Sequence, residues 1–399
     1  MNVIPYGKQD IRQEDIDAVV SALKSDYLTQ GPRILEFEKA FADYTGARYA
    51  VAVANGTAAL HLSAMALNVQ PGDRVITTPI TFAASANCVR YCGGEVVFCD
   101  IDPETYLIDI RQVKRLLESH PKHTFKGIIP VDFGGYPVNL EALKDLANEY
   151  GLWIIEDACH SPGAYFTDSK GAKQYCGNGN YADLSVFSFH PVKHIAAGEG
   201  GMITTNSEEL YRKLLLLRTH GITRDQHVFE NEPSLATGGQ DGSNYPGWYM
   251  EMQELGFNYR LTDFQAALGL SQLKRADAGL ERRKEIAKRY DEAFRGNNAI
   301  KSLGLEINQG TVSHAYHLYV IHTGDRLGLY NFLKEHKIFP QIHYIPVHLM
   351  PYYQKQGWKK GDLPAAESYY EGCLSLPMYP SLTDEEQAFV IEKVLSYLK

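Results

Sequence analysis

The sequence has no apolar run approaching the length of a bilayer span, no CxxC pair, no excess of basic residues, no internal repeat and no low-complexity linker. Each absence removes a class of protein. A membrane-crossing helix needs about 20 consecutive apolar residues, so no membrane partner is expected. Lys and Arg together number 39 against 48 Asp and Glu, for a formal charge of −9. Nucleic acids and anionic membranes are met by clustered Lys and Arg, so neither is expected as a partner. An anionic substrate must instead meet local positive groups or helix N-termini. The opening stretch, MNVIPYGKQDIRQEDI, has no basic start followed by an apolar run, so no signal peptide is expected. Cysteines stand at 88, 92, 99, 159, 176 and 373. Cys88 and Cys92 fall four apart, a spacing that suits one helix face, but no second ligand pair accompanies them. They read as buried free thiols rather than a metal site, in a reducing cytoplasm.

What is present is a long chain with an ordinary globular composition, 399 residues of which 44% are hydrophobic. That length suggests two domains, or one large domain with an appendage. Short β-branched or aromatic-rich runs alternate with helical patterns. The runs are Arg48–Asn55, Arg74–Ile80, Glu95–Ile101, Phe125–Phe133, Trp153–Ala158, Asp183–Phe189 and Gly200–Asn206. Near-continuous apolar strands with intervening helices predict a mostly parallel sheet covered on both faces. The last two runs are too close for a crossover helix and are expected to pair antiparallel. Leu140, Leu143, Leu146, Ala147 and Tyr150 recur at helical spacing, with Asp145 and Glu149 opposite. Ser207 followed by two glutamates opens another helix. A long amphipathic segment, 263–297, reads as the connection to a smaller α+β unit. That unit holds a one-face-exposed strand at Tyr316–His322, a helix at Arg326–Lys337 and a strand at Gln341–Ile345. The division is an arm over 1–15, a large domain over 16–262, and a connecting helix with a small domain over 263–399.

Lys193 lies in FSFHPVKHIAAGEGG, a loop constrained by proline and glycines at the end of a buried strand. Partial desolvation there lowers a lysine pKa and frees its lone pair for imine formation. Most loop lysines are solvated, so the local run alone does not assign catalysis. Asp157, in IIEDACHS, stands at the carboxyl end of an apolar strand, where open α/β sheets place ligands. A carboxylate there either keeps a pyridine nitrogen protonated or caps the next turn. His160 follows within reach of a ring oxygen, and equally reads as a core histidine. In ANGTAALHLSAMAL, Gly56 and Thr57 open a helix whose free N–H groups suit a phosphate. Ser188 adds a hydroxyl at the next strand end, and Phe82 is a ring able either to stack on a flat ligand or to pack in the core. Their occurrence together at successive strand ends is the informative feature.

With these motifs in place, the chain resembles the DegT-type sugar-nucleotide aminotransferases. The resemblance runs from IPYGKQDI and DYLTQGP through GTAAL, EDACHS, FSFHPVK, GEGG and GFNYRLTDFQAALGLSQL to HYIPVHLMPYY and LSLPMYPSLTDEEQ. It implies the aspartate-aminotransferase-like (type I) fold and pyridoxal 5′-phosphate (PLP) as cofactor. It further implies Lys193 as Schiff-base lysine, Asp157 as partner of the pyridine nitrogen, Phe82 as stacking ring and His160 near the phenolic oxygen. Gly56, Thr57 and Ser188 would bind the phosphate, joined by Asn258 of a neighbouring subunit in a homodimer with shared active sites. One departure is Asn55, where serine is common before the Gly-Thr pair. The segment Thr223–Met250 matches least clearly. Glutamate would be the amino donor, and the acceptor the 4-keto carbon of a nucleotide-linked, UDP-borne 4-keto-6-deoxy N-acetylamino sugar. FSFHPVKHI with HYIPVHLMPYY is most similar to members of the family that serve pseudaminic acid-type surface glycans. Tyr6, Tyr27, Thr29, Arg224, His343 and Tyr344 are candidates for substrate contact. Two alternatives stay open: an aminotransferase for another keto sugar nucleotide, or a PLP-dependent dehydratase, whose family pattern has histidine where this chain has Lys193.

Overall fold

The computed structural model describes residues 3–239, 243–303 and 311–398. Each of the seven apolar runs forms a strand: β1 (Tyr49–Val53), β2 (Arg74–Thr77), β3 (Glu95–Phe98), β4 (Phe125–Ile129), β5 (Trp153–Asp157), β6 (Leu184–Ser188) and β7 (Gly201–Thr205). They make one sheet in the order β1-β7-β6-β5-β4-β2-β3. Only β7 runs against the others, pairing antiparallel with both β1 and β6, as the short connection requires. The remaining pairs are parallel. Ile154, Ile155, Leu184, Val186 and Phe187 are all fully buried, because helices cover both faces and leave no side on which a polar residue could reach water.

The helices follow their sequence signals. Asn139 caps the Leu140–Tyr150 helix, which buries its five apolar positions and ends at Gly151 in the left-handed region. Ser207 caps Glu208–Arg218, its hydroxyl oxygen accepting from the Leu210 amide. The helix Gly56–Ala66 differs in kind. It buries Ala58 through Ala64 almost without interruption, so it is a core helix with its N-terminus at the sheet edge. Asn55 is its N-cap, with Oδ1 accepting from the Ala58 amide at 2.8 Å. The departure at this position therefore keeps the capping function. We expect Asn55→Ser to leave stability nearly unchanged and Asn55→Ala to cost about 1 kcal/mol in urea unfolding.

The expected 263–297 helix is interrupted. It is two helices, Asp263–Leu273 and Ala276–Phe294, broken at Lys274 and Arg275. The break turns the Arg275 guanidinium onto Asp10 and the fully buried Asp15, which also accepts from Gln272. The helix Gln13–Leu23 is thereby fastened against Asp263–Leu273.

Beyond lies a three-stranded antiparallel sheet of Lys301–Ser302, Tyr319–His322 and Cys373–Leu376. Two expectations need correction here. The strand begins at Tyr319 rather than Tyr316, and Tyr319, Val320 and Ile321 are all buried. Tyr319 and Ile321 face the core formed with Tyr290, Leu329 and Val390, while Val320 enters the core of the large sheet, so neither face is exposed. Gln341–Ile345 is not a strand. Only Gln341 pairs, with Ser375, and the strand of this region is Ile338–Phe339, which takes Ile4–Pro5 of the N-terminal arm as its parallel neighbour. From Ile342 to Ile345 the polar groups serve other elements instead of a ladder: His343 Nδ1 lies 2.8 Å from Ser375 Oγ, and Tyr369 donates to the His343 backbone carbonyl.

Candidate active site

The carboxyl ends of β1, β2, β5 and β6 open, with the start of β7, into a cleft of about 850 Å³, the place where open α/β sheets bind ligands. Gly56, Thr57, Phe82, Asp157, His160, Ser188 and Lys193 all line it, joined by Tyr6, His343 and Tyr344 from the arm and the C-terminal part. Four candidates do not. Tyr27, Thr29 and Arg224 are exposed outside this cleft, and so is Asn258, whose backbone bridges Thr219. Thr29 bridges Thr262, and Arg224 lies just beyond the short strand Ile222–Thr223, which pairs with Glu251–Met252.

Asp157 is buried and accepts two hydrogen bonds, from Ser85 Oγ at 2.6 Å and from the Cys159 amide at 3.2 Å. Because Ser85 spends its proton on Asp157, Thr81 must donate to Ser85 across 2.7 Å. The chain Thr81–Ser85–Asp157 fixes the carboxylate. Ser85, the second residue of the Ala84–Tyr91 helix, was not singled out in the sequence, although it is visible there in PITFAASA.

His160 has its tautomer set by the network. The Gly134 amide donates to Nδ1 at 3.2 Å, which leaves the ring proton on Nε2, 3.2 Å from Tyr344 Oη. Burial, then the charge of Lys193, pushes its pKa well below the usual histidine range, so the ring is neutral with an N–H facing the cleft. Lys193 lies on the floor, its Nζ 3.5 Å from His317 Nε2. Burial lowers its pKa against the opposing pull of Cys159 and Asp157. His317, also a cleft-lining residue, was missed because it comes from the far end of the chain.

Behind Asp157, on neighbouring strand ends, lies a cluster of Asp132, Glu156 and Cys176, with ligand-type atoms within 4.8 Å of one another. Asp132 accepts from Ser161 and Val138, and Glu156 Oε2 from Ser185 and Gly177. Two buried carboxylates this close cannot both ionise. Burial raises Asp132 to about 6 and drives Glu156 upward. A carboxyl pKa raised by folding contributes stability that is complete below the unfolded value of 3.8 and is lost as pH rises through about 6. We therefore expect Asp132→Asn to flatten the fall in urea midpoint between pH 4 and about 6, relative to the parent protein. An unchanged slope would remove the pair from the account.

A lysine and an aspartate facing one cleft beside a helix N-terminus, on a mostly parallel seven-stranded sheet, define an enzyme of the aspartate-aminotransferase-like, type I fold. Residues 9–395 match the DegT/DnrJ/EryC1/StrS aminotransferase family, and the chain belongs to that family of sugar aminotransferases. It is 40% identical over 404 residues to the spore coat polysaccharide biosynthesis protein SpsC of Bacillus subtilis, covering 99% of this chain and 97% of that one. It is 34% identical over 399 residues to a UDP-4-amino-4,6-dideoxy-N-acetyl-beta-L-altrosamine transaminase of Campylobacter jejuni, covering 100% and 98%. Among solved structures, Helicobacter pylori PseC, an aminotransferase of pseudaminic acid biosynthesis, superposes with a TM-score of 0.85 at 30% identity over 100% and 99% of the chains. A sugar aminotransferase of Streptococcus pneumoniae in its pyridoxamine-phosphate form gives 0.86 at 30% identity over 99% of each.

Proposed function

We propose that this chain moves an amino group from glutamate to the 4-keto carbon of a UDP-linked 4-keto-6-deoxy N-acetylamino sugar, using PLP, as a cytoplasmic homodimer in the synthesis of pseudaminic acid-type glycans. The observation that carries this reading is Lys193 and Asp157 at one cleft beside the amino end of the Gly56–Ala66 helix.

The residues present suit PLP. A Cβ on Gly56 would come to 3.0 Å from Ser188 Cβ, so glycine keeps open the backbone approach beside the Ser188 hydroxyl and the helix amides. Phe82 leaves 63% of its surface exposed at the cleft wall, an apolar face suited to a planar ring. Asp157 would hold the pyridine nitrogen protonated, His160 would donate its Nε2 proton to the phenolic oxygen, and Gly56, Thr57 and Ser188 would bind the phosphate. When bound, PLP supplies the electron sink for the carbanion at the donor's Cα.

Lys193 then does the proton work. Desolvation lowers its pKa, which favours the free amine that would take the proton from the donor's Cα and return it to the cofactor carbon as acid. The same side chain works in reverse on the sugar ketone. The lining of this cleft contains no arginine among the described residues, yet glutamate brings two carboxylates and the sugar a pyrophosphate. This deficit supports a site completed by a second copy, with Asn258 and Arg224 reaching across. Tyr6, His343 and Tyr344 stand in this chain's own wall and would contact the sugar, while Tyr27 and Thr29 would close on the neighbour. For the dehydratase alternative, a histidine would be needed where Lys193 stands, and His194 instead points its Nε2 at the Ala315 carbonyl, 2.9 Å away.

A spectral titration tests the proposal. Glutamate should convert the absorbance band of the PLP-loaded protein to that of pyridoxamine phosphate, and a panel of nucleotide-linked keto sugars should restore it. Restoration by a sugar ketone other than the UDP-linked 4-keto one would move the substrate, and no conversion by any amino acid would sink the aminotransferase assignment for this site.

A further inference from the structure

The floor of the cleft contains an imidazole, that of His317, to which the proposed reaction gives no role. His317 is buried, its Nε2 lies 3.5 Å from Lys193 Nζ, and its ring packs on that of His160 at 4.4 Å between centroids. Its Nδ1 is buried without a protein partner. Orphaned buried N–H groups are rarer than under-satisfied acceptors, so the favoured neutral form leaves the lone pair on Nδ1 and the proton on Nε2. That proton faces Lys193. The contact is at the long end for a hydrogen bond, as catalytic contacts commonly are before a ligand tightens them.

Arg283 holds the ring in place. It is almost fully buried and donates through Nη1 to the carbonyls of Tyr316, His317 and Met378 at 3.1, 3.4 and 2.9 Å. His194 likewise keeps its proton on Nε2, because that atom meets the Ala315 carbonyl. Lys193 is thus surrounded by His160, His194, His317, His343 and the Arg283 cation, against which stand the Asp157 carboxylate and the Cys159 thiol.

We propose that His317 is a positioning residue for Lys193, directing its Nε2–H at the lone pair of the free amine so that the lysine released during catalysis stays uncharged and aimed. An ammonium at Nζ would set donor against donor. The mismatch vanishes when Lys193 is an amine and returns when it takes up a proton, which favours passing that proton on.

This rests on Lys193 being the cofactor lysine, and the test separates the two. Cofactor-free protein is mixed with PLP across a pH series, trapped with borohydride, and scored for label at Lys193 by peptide mass spectrometry. His317→Phe keeps the ring and loses the donor, and its half-maximal labelling should shift upward by about one pH unit. His317→Gln, with an amide N–H near the Nε2 position, should restore most of the parent profile. A parent-like profile for His317→Phe overturns the role of His317, while absence of label at Lys193 in the parent protein overturns the reading beneath it. Should either variant fail to fold, nitrogen NMR of histidine-labelled parent protein decides: a protonated Nδ1 on His317 sinks the proposal.

Discussion

If Lys193 has the role proposed for it, Lys193→Ala is expected to reduce turnover of the amino donor by about 10³-fold or more, since it would remove the covalent anchor and the proton carrier in one step. Lys193→Arg should do no better: a guanidinium stays charged in proteins and forms no imine. Neither loss should be traceable to unfolding. Folding lowers the pKa of Lys193, chiefly through burial. A lysine of this kind contributes fully above its unfolded pKa and loses that contribution as pH falls through the folded value, so at neutral pH it strains the fold. Cofactor-free Lys193→Ala is therefore expected to melt at the same temperature as the parent protein or above it, the usual trade of stability for function. Thermal melting with and without PLP separates the effects, because only the parent should gain from covalent attachment. Turnover of the alanine variant at the parent rate would remove Lys193 from the chemistry.

The parts of the molecule legible in the sequence are those where one local rule decides. Strands β1 to β7 read as apolar runs because both faces of the sheet are covered, and burial leaves no other pattern available. Ser207 is a cap because a short polar side chain satisfies an amide three residues on. Lys193 and Asp157 lie at strand ends, which the topology turns toward a single edge. What stayed hidden depends on packing between distant segments. His317 reaches Lys193 across 124 positions, and Tyr344 reaches His160 across 184. The Tyr319–His322 strand has apolar residues on both faces because Val320 and its neighbours meet different cores, so alternation gave the wrong account of exposure. The break at Lys274 and Arg275 comes with a contact from Arg275 to Asp15, a carboxylate some 260 positions earlier, and no helical periodicity carries that information.

Asp157→Asn is expected to lower kcat by about 10²- to 10⁴-fold while changing stability by less than about 1 kcal/mol. The small structural effect follows from the hydrogen bonds. The amide oxygen can keep the Cys159 N–H, and the amide nitrogen can donate to Ser85 Oγ, whose own proton then turns to the Phe82 carbonyl it already approaches at 3.3 Å. The large kinetic effect follows from charge. In the proposed site an amide would present no anion to the pyridine nitrogen, so the ring would no longer be held in the protonated form that draws electrons from the donor's Cα. Ser85→Ala should cost far less, because it removes one orienting hydrogen bond and leaves the carboxylate. Single-turnover conversion by glutamate ranks the three proteins directly. A rate for Asp157→Asn within a few-fold of the parent would mean that the carboxylate caps its own turn and that the ring nitrogen finds its partner elsewhere.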